Sequence, residues 1–442
     1  RAPIERSEPS SSSAVVRNSK DRPIVTRPDS APVTGRPSPV IKARIAVCLT
    51  FLANGLGFSN LVPRYPEVLA HLGIDKAAFG QAVMFSAIGA ILAGPAASWC
   101  IARFTSARVA SVGMMVLGLG LLGAGLAGSW AVFALCMAWV GGTDAVVDVA
   151  QNAHGLRVER RWGSSIITSF HAAWSLGAVL GAAMGQAVAG AGVPIGLHMA
   201  GVLVLLTVVC AAALPWTIPG PDSRDRAGTV REPDPACPVG ARSARPGDRY
   251  PRPLAVGVVI VLGLMCAAAM FPEDVAGNWS SLLLAERGAA PGAMGMGMVC
   301  LQTIMILGRL VGDAVVDRLG ARAVIGGGGA GMALALVTSG VPGTLAGMGV
   351  AGAGCAVAVP VAYAAADDVP GLRPGRGLTI VSWLSRLIMV ICPPIVGRLA
   401  DAHGTRAALV YGLLGGVVLL VSWPVLRGAG RARAHAGEGA LS

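Results

Sequence analysis

Charged residues are scarce in this sequence. They make up 13% of the 442 residues, whereas 54% are hydrophobic and the mean hydropathy is +0.65. Because an average soluble domain carries about 25% charged residues, this composition excludes an ordinary soluble protein. Cysteine is also rare, and the nine cysteines have no spacing typical of a metal site or a disulfide framework. The sequence therefore predicts no metal and no cofactor.

Long apolar runs take the place of the missing charge. The hydrocarbon core of a bilayer is about 30 Å thick and needs roughly 20 apolar residues per crossing helix. The sequence therefore predicts an all-α integral membrane protein with twelve transmembrane helices, embedded in a lipid bilayer. We number the twelve segments as spans 1 to 12: 45–65, 78–101, 108–128, 131–156, 164–190, 194–215, 254–284, 292–316, 322–341, 344–366, 377–400 and 406–426.

The basic residues are concentrated in the tails and in alternate loops. A net charge of +12 would suit a nucleic-acid partner, but 28 of the 35 Lys and Arg residues lie in the two tails and in the loops after even-numbered spans. Such an excess marks the cytoplasmic side of membrane proteins. The sequence therefore predicts cytoplasmic termini and no nucleic-acid partner. Two of the other seven lie deep within spans, and five are assigned to the loops after odd-numbered spans, counted with the span ends that border them: Arg64, Lys76, Arg287, Arg398 and Arg406.

Polar segments divide the chain into parts. Residues 1–43 are rich in Ser, Pro and Arg and lack the apolar stretch of a signal peptide, so we predict a disordered cytoplasmic tail. A second cytoplasmic tail covers 428–442. The long polar interval 216–253, predicted to be a cytoplasmic loop, separates two bundles of six helices, 44–215 and 254–427.

The two bundles repeat one design. A shift of about 215 residues aligns Gly80 with Gly295 and brings His171 opposite Arg386. Parallel six-helix repeats are typical of transporters, whose substrate site lies near the middle of the membrane between the halves.

One loop motif carries a family resemblance. The stretch "DAVVDRLGAR" at 313–322 resembles the Asp-Arg-x-Gly-x-Arg loop of the major facilitator superfamily, which follows its second and eighth helices. The first-half counterpart, "SWCIARFTSAR" at 98–108, has Ala102 and Thr105 where the family expects Asp and Gly, so a gating charge pair is in doubt there. The gating-loop residues that match are Asp317, Arg318, Gly320 and Arg322 in the second half and Arg103 and Arg108 in the first.

Finer features resemble a bacterial subgroup near the fucose:proton symporters. These are "NGLGFSNLVPRYPEVLAHLGI" in span 1, "FHAAWSLG" in span 5 and "EDVAGNWSSLLL" in span 7. The resemblance implies a monomeric secondary transporter in a bacterial plasma membrane, working by alternating access, with spans 1, 4, 7 and 10 around a central cavity. No G-x-x-x-x-G-K-[ST] sequence is present to support ATP-driven transport.

A polar stripe runs along span 4. Asp144 and Asp148 are four residues apart, and Gln151 and Asn152 continue the same helix face. A charged group at the centre of a membrane helix costs about 2.5–3.5 kcal/mol, so such residues usually face a cavity or a partner. We predict proton coupling for the two acids and substrate binding for the two amides. The alternative is a structural role as hydrogen-bond acceptors.

His171 in span 5 matches Asp148 in depth. Each lies about eight residues from the turn that joins spans 4 and 5, or roughly 12 Å inside the membrane. We predict a proton-sensitive pair in which Asp148 carries the proton. The alternatives are a core histidine that ties the two helices together and, from a different class of protein, an intramembrane hydrolase using His171, Ser175 and Asp148.

Span 7 carries two further acids. Glu273 and Asp274 follow Pro272, whose missing amide loosens the helix. We include both in the proton-coupling group, with a place at the outer headgroups as the alternative. Trp279 is either an interfacial anchor or a ring that stacks on a sugar.

The remaining candidates concern the solute. We predict substrate binding by Asn54 and Asn60 in span 1, with helix-to-helix hydrogen bonds as the alternative, and by Tyr363, the repeat equivalent of Asp148. Arg386 needs an anion, either a cavity carboxylate or the solute itself. Drug:proton antiporters of the superfamily carry Gly-Pro in span 5, where Gly181 is followed here by alanine. The sequence thus favours symport of a small polar, sugar-like solute over efflux of a drug or metabolite by proton antiport.

Overall fold

The structure, a computed structural model, describes residues 39–163, 166–220, 222, 252–319, 321–338, 340–367 and 376–421. Only the backbone is described at 168, 252–255, 310–319, 321–328, 357–367, 376–379 and 382. The described part consists of helices and short connections and contains no strand.

The first half contains eight helices in six membrane crossings. Span 1 is built from two helices joined by a 3₁₀ turn at Val62–Arg64, and span 2 from two helices separated at Gly94 and Pro95. The helices are α1 (Pro39–Leu61), α2 (Tyr65–Leu72), α3 (Lys76–Ala93), α4 (Ala96–Phe104), α5 (Ser106–Gly125), α6 (Trp130–Trp162), α7 (Ile167–Gly190) and α8 (Ile195–Ala213).

The second half contains seven helices. A π-helical turn at Val275–Trp279 follows Pro272, in agreement with the predicted loosening of span 7. The helices are α9 (Arg252–Asp274), α10 (Ser280–Glu286), α11 (Met296–Leu319), α12 (Ala321–Val337), α13 (Gly340–Asp367), α14 (Arg376–His403) and α15 (Ala407–Val421).

Local sequence explains several helix ends. The Asp75 side chain accepts a hydrogen bond from the backbone at the start of α3, and Ser129 does the same for α6. Gly73 and Gly163 follow α2 and α6 in the left-handed conformation, which glycine adopts without steric cost. These residues end one helix or begin the next at the predicted loops.

Helices occupy all twelve predicted spans. Nine stretches of the described residues are long and apolar enough to cross a membrane, and they coincide with spans 1–8 and 11. Spans 9 and 10 contain α12 and α13, and span 12 contains the shorter apolar helix α15. The predicted all-α architecture of two six-helix bundles is confirmed.

Glycines bring α1 and α7 into backbone contact. A Cβ atom added at Gly177 would lie 2.0 Å from the carbonyl oxygen of Leu52, and one at Gly181 would lie 2.4 Å from that of Leu56. Gly185, four residues further along, makes the same approach to Asn60. These three glycines, at four-residue spacing, therefore let span 5 pack closely against span 1.

Charged residues join the two halves at one end of the bundle, which we call the sealed end and define by Lys76, Glu286 and Asp401. Lys76 Nζ lies 2.6 Å from Glu286 Oε1. Asp401 accepts hydrogen bonds from the backbone N–H groups of Lys76 and Ala77, at 2.9 and 2.8 Å. Since the first N–H groups of a helix lack partners within it, a carboxylate of the second half caps a helix of the first.

An apolar layer lies beside this network. Phe79 of α3 and Trp279 pack edge to face with their ring centroids 5.8 Å apart, and both are fully buried. A Cβ atom added at Gly80 would lie 2.3 Å from the carbonyl oxygen of Pro393, so α3 and α14 are in backbone contact. Charge pairing and close packing together hold the sealed end closed.

We expect the Asp401→Ala substitution to open the sealed end more often. It removes the cap that the second half places on α3, and losing such a cap costs about 0.5–2 kcal/mol. The measurement is double electron–electron resonance between spin labels at positions 71 and 403, in a background without the native cysteines. A larger population of long distances between the labels is expected.

Asp75→Ala is the matched control. Asp75 also caps α3, but it belongs to the same half, with its Oδ1 accepting from Ala78 N at 2.7 Å. We expect the control to leave the distance distribution unchanged. Equal opening in the two variants would show that Asp401 does not hold the halves together.

Two of the basic residues assigned to outer loops lie within the helical part of a span. Arg64 is 1% exposed in the turn between α1 and α2, and it donates to Glu67 and to the carbonyl oxygen of Val193. The helix resumes at Tyr65 after the interruption at Pro63, so span 1 is longer than predicted. Arg398 lies within α14.

Candidate functional site

A chain of hydrogen bonds links α1, α6 and α7 within the first half. Asn54 Nδ2 donates to Asp144 Oδ1 at 2.8 Å, and Trp174 Nε1 donates to Asn54 Oδ1 at 2.7 Å. Both ends of the Asn54 amide are thus engaged. The sequence predicted Asn54 as a solute ligand and did not single out Trp174. In the structure Asn54 binds Asp144 and also lines a cavity, so its role in solute binding stays a prediction.

The predicted acid stripe borders a cavity of about 240 Å³, which we call the polar cavity. It combines residues from both halves, with the first half supplying the carboxylates and the second a guanidinium group. Its lining residues are Phe51, Asn54, Asp144, Asp148, Gln151, His171, Trp174 and Arg309. The structure therefore brings the predicted residues of α6 and α7 together.

Within the polar cavity, Asp148 is held by its own helix. Asn152 Nδ2 donates to both the carbonyl oxygen and Oδ1 of Asp148, each at 2.9 Å. Gln151 is buried, and within the described residues its Oε1 has no hydrogen-bond partner. Gln151 also lines the polar cavity, so an unused hydrogen-bond acceptor lies close to that space.

His171 faces the same space as Asp148. Its ring packs edge to face on Phe51, with centroids 5.3 Å apart, and the residue is exposed. The two side chains interact electrostatically without a direct hydrogen bond among the described contacts. Both line the polar cavity, and their role as a proton-sensitive pair stays a prediction.

A second cavity of about 300 Å³ adjoins the polar cavity and shares Asn54, Asp144 and Trp174 with it. We call it the mixed cavity, since it combines the two acids of span 7 with apolar side chains. Its other lining residues are Phe58, Ser86, Leu117, Val140, Gly141, Met270, Glu273, Asp274, Gly277, Asn278, Met298 and Met389.

The acids of span 7 lie between the halves, so their alternative place at the outer headgroups is wrong. Gln302 Nε2 donates to Glu273 Oε1 at 2.8 Å, and Asn278 Nδ2 donates to Asp274 Oδ1 at 2.8 Å. Among the described residues, Asp274 Oδ2 is buried without a partner.

Two arginines of the second half complete the charges near the polar cavity. Arg309 of α11 lines it and donates through Nη1 to Ser175 Oγ at 3.1 Å. Arg386 of α14 is exposed, and its charge acts on both Asp144 and Asp148. The sequence predicted Arg386 but not Arg309. The one sequence signal that could have indicated Arg309 is its position inside an apolar span.

Two predicted solute ligands lie elsewhere. Asn60 is fully buried, donates to the carbonyl oxygen of Leu56, and has its Oδ1 3.0 Å from His198 Nε2. Trp279 is fully buried against Phe79 and is among the lining residues of neither cavity. Both side chains stabilise helix packing rather than line a described cavity.

The first-half gating loop differs from the family pattern, as predicted. Arg103 is exposed over the ring of Phe104, at 5.3 Å, and Arg108 is exposed beside an apolar groove. Thr105 has a φ of 78°, a conformation that favours glycine. Asp222 accepts a hydrogen bond from the backbone N–H of Ser106 at 2.9 Å, so an acid from beyond α8 caps α5.

The side chains of several predicted residues are outside the described part of the structure. Tyr363 lies in α13, but its side chain is outside the described residues, as are the side chains of the second-half gating loop: Asp317, Arg318 and Arg322, together with Gly320. In the part of the chain that is described, no group of three or more His, Cys, Asp or Glu residues is arranged to bind a metal ion.

Fold and site define a class of protein. Two bundles of six membrane helices surround a central, charged cavity built from both halves, which is the architecture of secondary transporters. The Major Facilitator Superfamily profile matches residues 47–272, and the chain belongs to that family.

Relatives agree with this assignment. The chain is 28% identical over 397 residues to "Uncharacterized transporter y4wD" of Sinorhizobium fredii, covering 86% of this chain and 97% of the relative. It is 27% identical over 384 residues to "Membrane protein MosC" of Rhizobium meliloti, covering 85% and 88%. Among solved structures, a D-xylose-proton symporter superposes with a TM-score of 0.62 at 17% identity, covering 87% of this chain and 98% of that one.

The chain is therefore a multi-pass membrane transporter of small solutes and not an enzyme. The side chain offered as a hydrolase nucleophile, Ser175, is fully buried and accepts its hydrogen bond from Arg309.

Proposed function

We propose that this transporter carries a small polar, sugar-like solute together with protons, by alternating access, and that it belongs to the subgroup near the fucose:proton symporters. One observation carries the proposal. The polar cavity joins Asp148 and His171 of the first half to Arg309 of the second. A group that changes charge at such a boundary alters the relative stability of the two bundle arrangements, as coupled transport requires.

The distribution of basic residues supports an orientation. The tails and loops rich in Lys and Arg lie on the cytoplasmic side, so the sealed end faces outward in a bacterial plasma membrane. The two halves meet at that end, while His171 and Arg386 are exposed. This arrangement corresponds to a state closed toward the outside, one of the two that alternating access needs. The protein works as a monomer in this proposal, since each chain supplies both halves of the cavity.

Proteoliposomes test the proposal directly. Purified protein is reconstituted, and uptake of a panel of labelled sugars, sugar acids, amino sugars and amino acids is measured with and without an inward proton gradient. We expect at least one polar solute to accumulate only when the gradient is present. Uptake that is the same without a gradient would contradict proton coupling.

The mixed cavity favours a second candidate function. Three methionines, Met270, Met298 and Met389, line it beside the acids, and such side chains adapt to apolar ligands of varied shape. The second candidate is efflux of an amphipathic drug or metabolite by proton antiport. Export of an apolar amine driven by a proton gradient, with no uptake of polar solutes, would favour this efflux function over symport.

A further inference from the structure

Within the described part of the chain, the two arginines near the polar cavity have no acidic partner in direct contact. Among the described residues, no carboxylate oxygen lies within 4 Å of Arg309 or Arg386, although both arginines are exposed. The contact that Arg309 makes is with the neutral hydroxyl of Ser175. A guanidinium group presents a planar set of donors that matches a carboxylate. Neither of these two guanidinium groups is paired with a carboxylate of the described residues.

The charges around this space can be counted from the elements that face it. The first half contributes Asp144 and Asp148 from α6 and His171 from α7, and the second half contributes Arg309 from α11 and Arg386 from α14. With both carboxylates ionised and the histidine neutral, negative and positive charges balance. A proton bound by Asp148 leaves one positive charge in excess among these five groups, which favours an anion beside the exposed arginines.

The two acids of span 7 have other partners and line the adjoining cavity. Glu273 and Asp274 lie in the mixed cavity, where Gln302 and Asn278 donate hydrogen bonds to them. A single negative charge on the solute would restore the balance beside the arginines.

We infer that the solute is a small organic monoanion, a polyhydroxylated carboxylic acid, whose carboxylate binds between Arg309 and Arg386 while Asp148 holds the proton. This inference rests on the proposed function and specifies its solute. The free Oε1 of Gln151 accepts a solute hydroxyl group. The cavity volume of about 240 Å³, together with the adjoining mixed cavity, suits a solute of the size of one sugar ring.

The same arrangement explains how proton and solute are coupled. Ionised Asp148 and the solute carboxylate compete for the field of the same two arginines, so proton binding by Asp148 favours anion binding. One proton and one monoanion then enter together, and transport is electroneutral.

Uptake of three labelled sugars of similar size tests the solute class: D-glucuronate, D-glucose and D-glucosamine. With an inward proton gradient, we expect glucuronate to be taken up at least about 10-fold faster than the other two, because a charge-assisted contact contributes about 1.5–3 kcal/mol. A potassium diffusion potential of either sign should leave the rate unchanged. Stabilisation of the detergent-purified protein by glucuronate and not by glucose, at mildly acidic pH, is the second expected result.

Arginine variants locate the binding site. Arg386→Gln should raise the KM for glucuronate about 10- to 100-fold, and Arg386→Lys should recover part of the loss. Arg398→Gln is the matched control, since it makes the same change on α14 away from both cavities and should leave the KM unchanged.

The outcomes distinguish a failure of this inference from a failure of the proposed function. Proton-dependent uptake of glucose or glucosamine without glucuronate overturns the monoanion and leaves proton-coupled transport standing. A KM that does not change in Arg386→Gln, or a rate that follows the membrane potential, also overturns it. No proton-dependent uptake of any of the three counts against both.

Discussion

Asp148→Asn is expected to abolish proton-driven accumulation while leaving exchange of solute across the membrane intact. The variant keeps the acceptor for Asn152 but removes the group that gains and loses a proton. Coupling free energies of about 1–3 kcal/mol correspond to roughly 5- to 150-fold changes in affinity, and accumulation should fall by a factor in that range. The measurement is gradient-driven uptake in proteoliposomes, compared with counterflow at equal pH on both sides.

Asp144→Asn provides the comparison one helical turn away. Asp144 is bound by Asn54, which is itself bound by Trp174, and the amide of the variant keeps an acceptor for Asn54. We therefore expect Asp144→Asn to retain most of the coupling. Loss of coupling in Asp144→Asn together with its retention in Asp148→Asn would reverse the roles assigned to the two acids.

Gly177→Leu is expected to destabilise the protein more than any surface substitution. A side chain at this position must displace backbone, because an added Cβ atom meets the O, C and Cα atoms of Leu52 at 2.0, 2.8 and 3.0 Å. Overpacking a core costs about 1–3 kcal/mol, and contact with rigid backbone places this case at or above the upper value. Thermal unfolding in detergent and the yield of folded protein in membranes measure the effect.

Gly201→Leu is the matched control. Gly201 lies in α8, is exposed, and has no heavy atom within 4 Å of an added Cβ atom. Since leucine also has the higher helix propensity, this variant should be as stable as the native chain or slightly more so. Similar losses of stability in the two variants would refute the close approach of α1 and α7.

The sequence by itself determined the architecture. Twelve apolar runs fixed the number and order of crossings, because the thickness of the bilayer imposes a length that can be counted along the chain. It also indicated the acid stripe on α6, since Asp144 and Asp148 share a face through their spacing alone. The four-residue spacing of the glycines in α7 is likewise present in the sequence, whereas only the structure shows that they approach α1.

The tertiary structure decided which polar groups are free. Asn54 and Asn60 look alike in sequence, yet Asn54 borders both cavities and Asn60 is buried against His198. Trp279 was expected at a surface or at the solute, and it lies fully buried beside Phe79 of the other half. Contacts between residues distant in the chain fixed each outcome.

Arg309 shows why these outcomes could not be predicted. In a soluble protein, the apolar side of a helix indicates which face is buried. In a membrane, lipid and protein interior are both apolar, so the hydrophobic pattern does not reveal which face of α11 meets the centre of the bundle. The sequence determined that an arginine lies in a membrane helix, and only the packing of the two halves decided that it lines the polar cavity with Asp148.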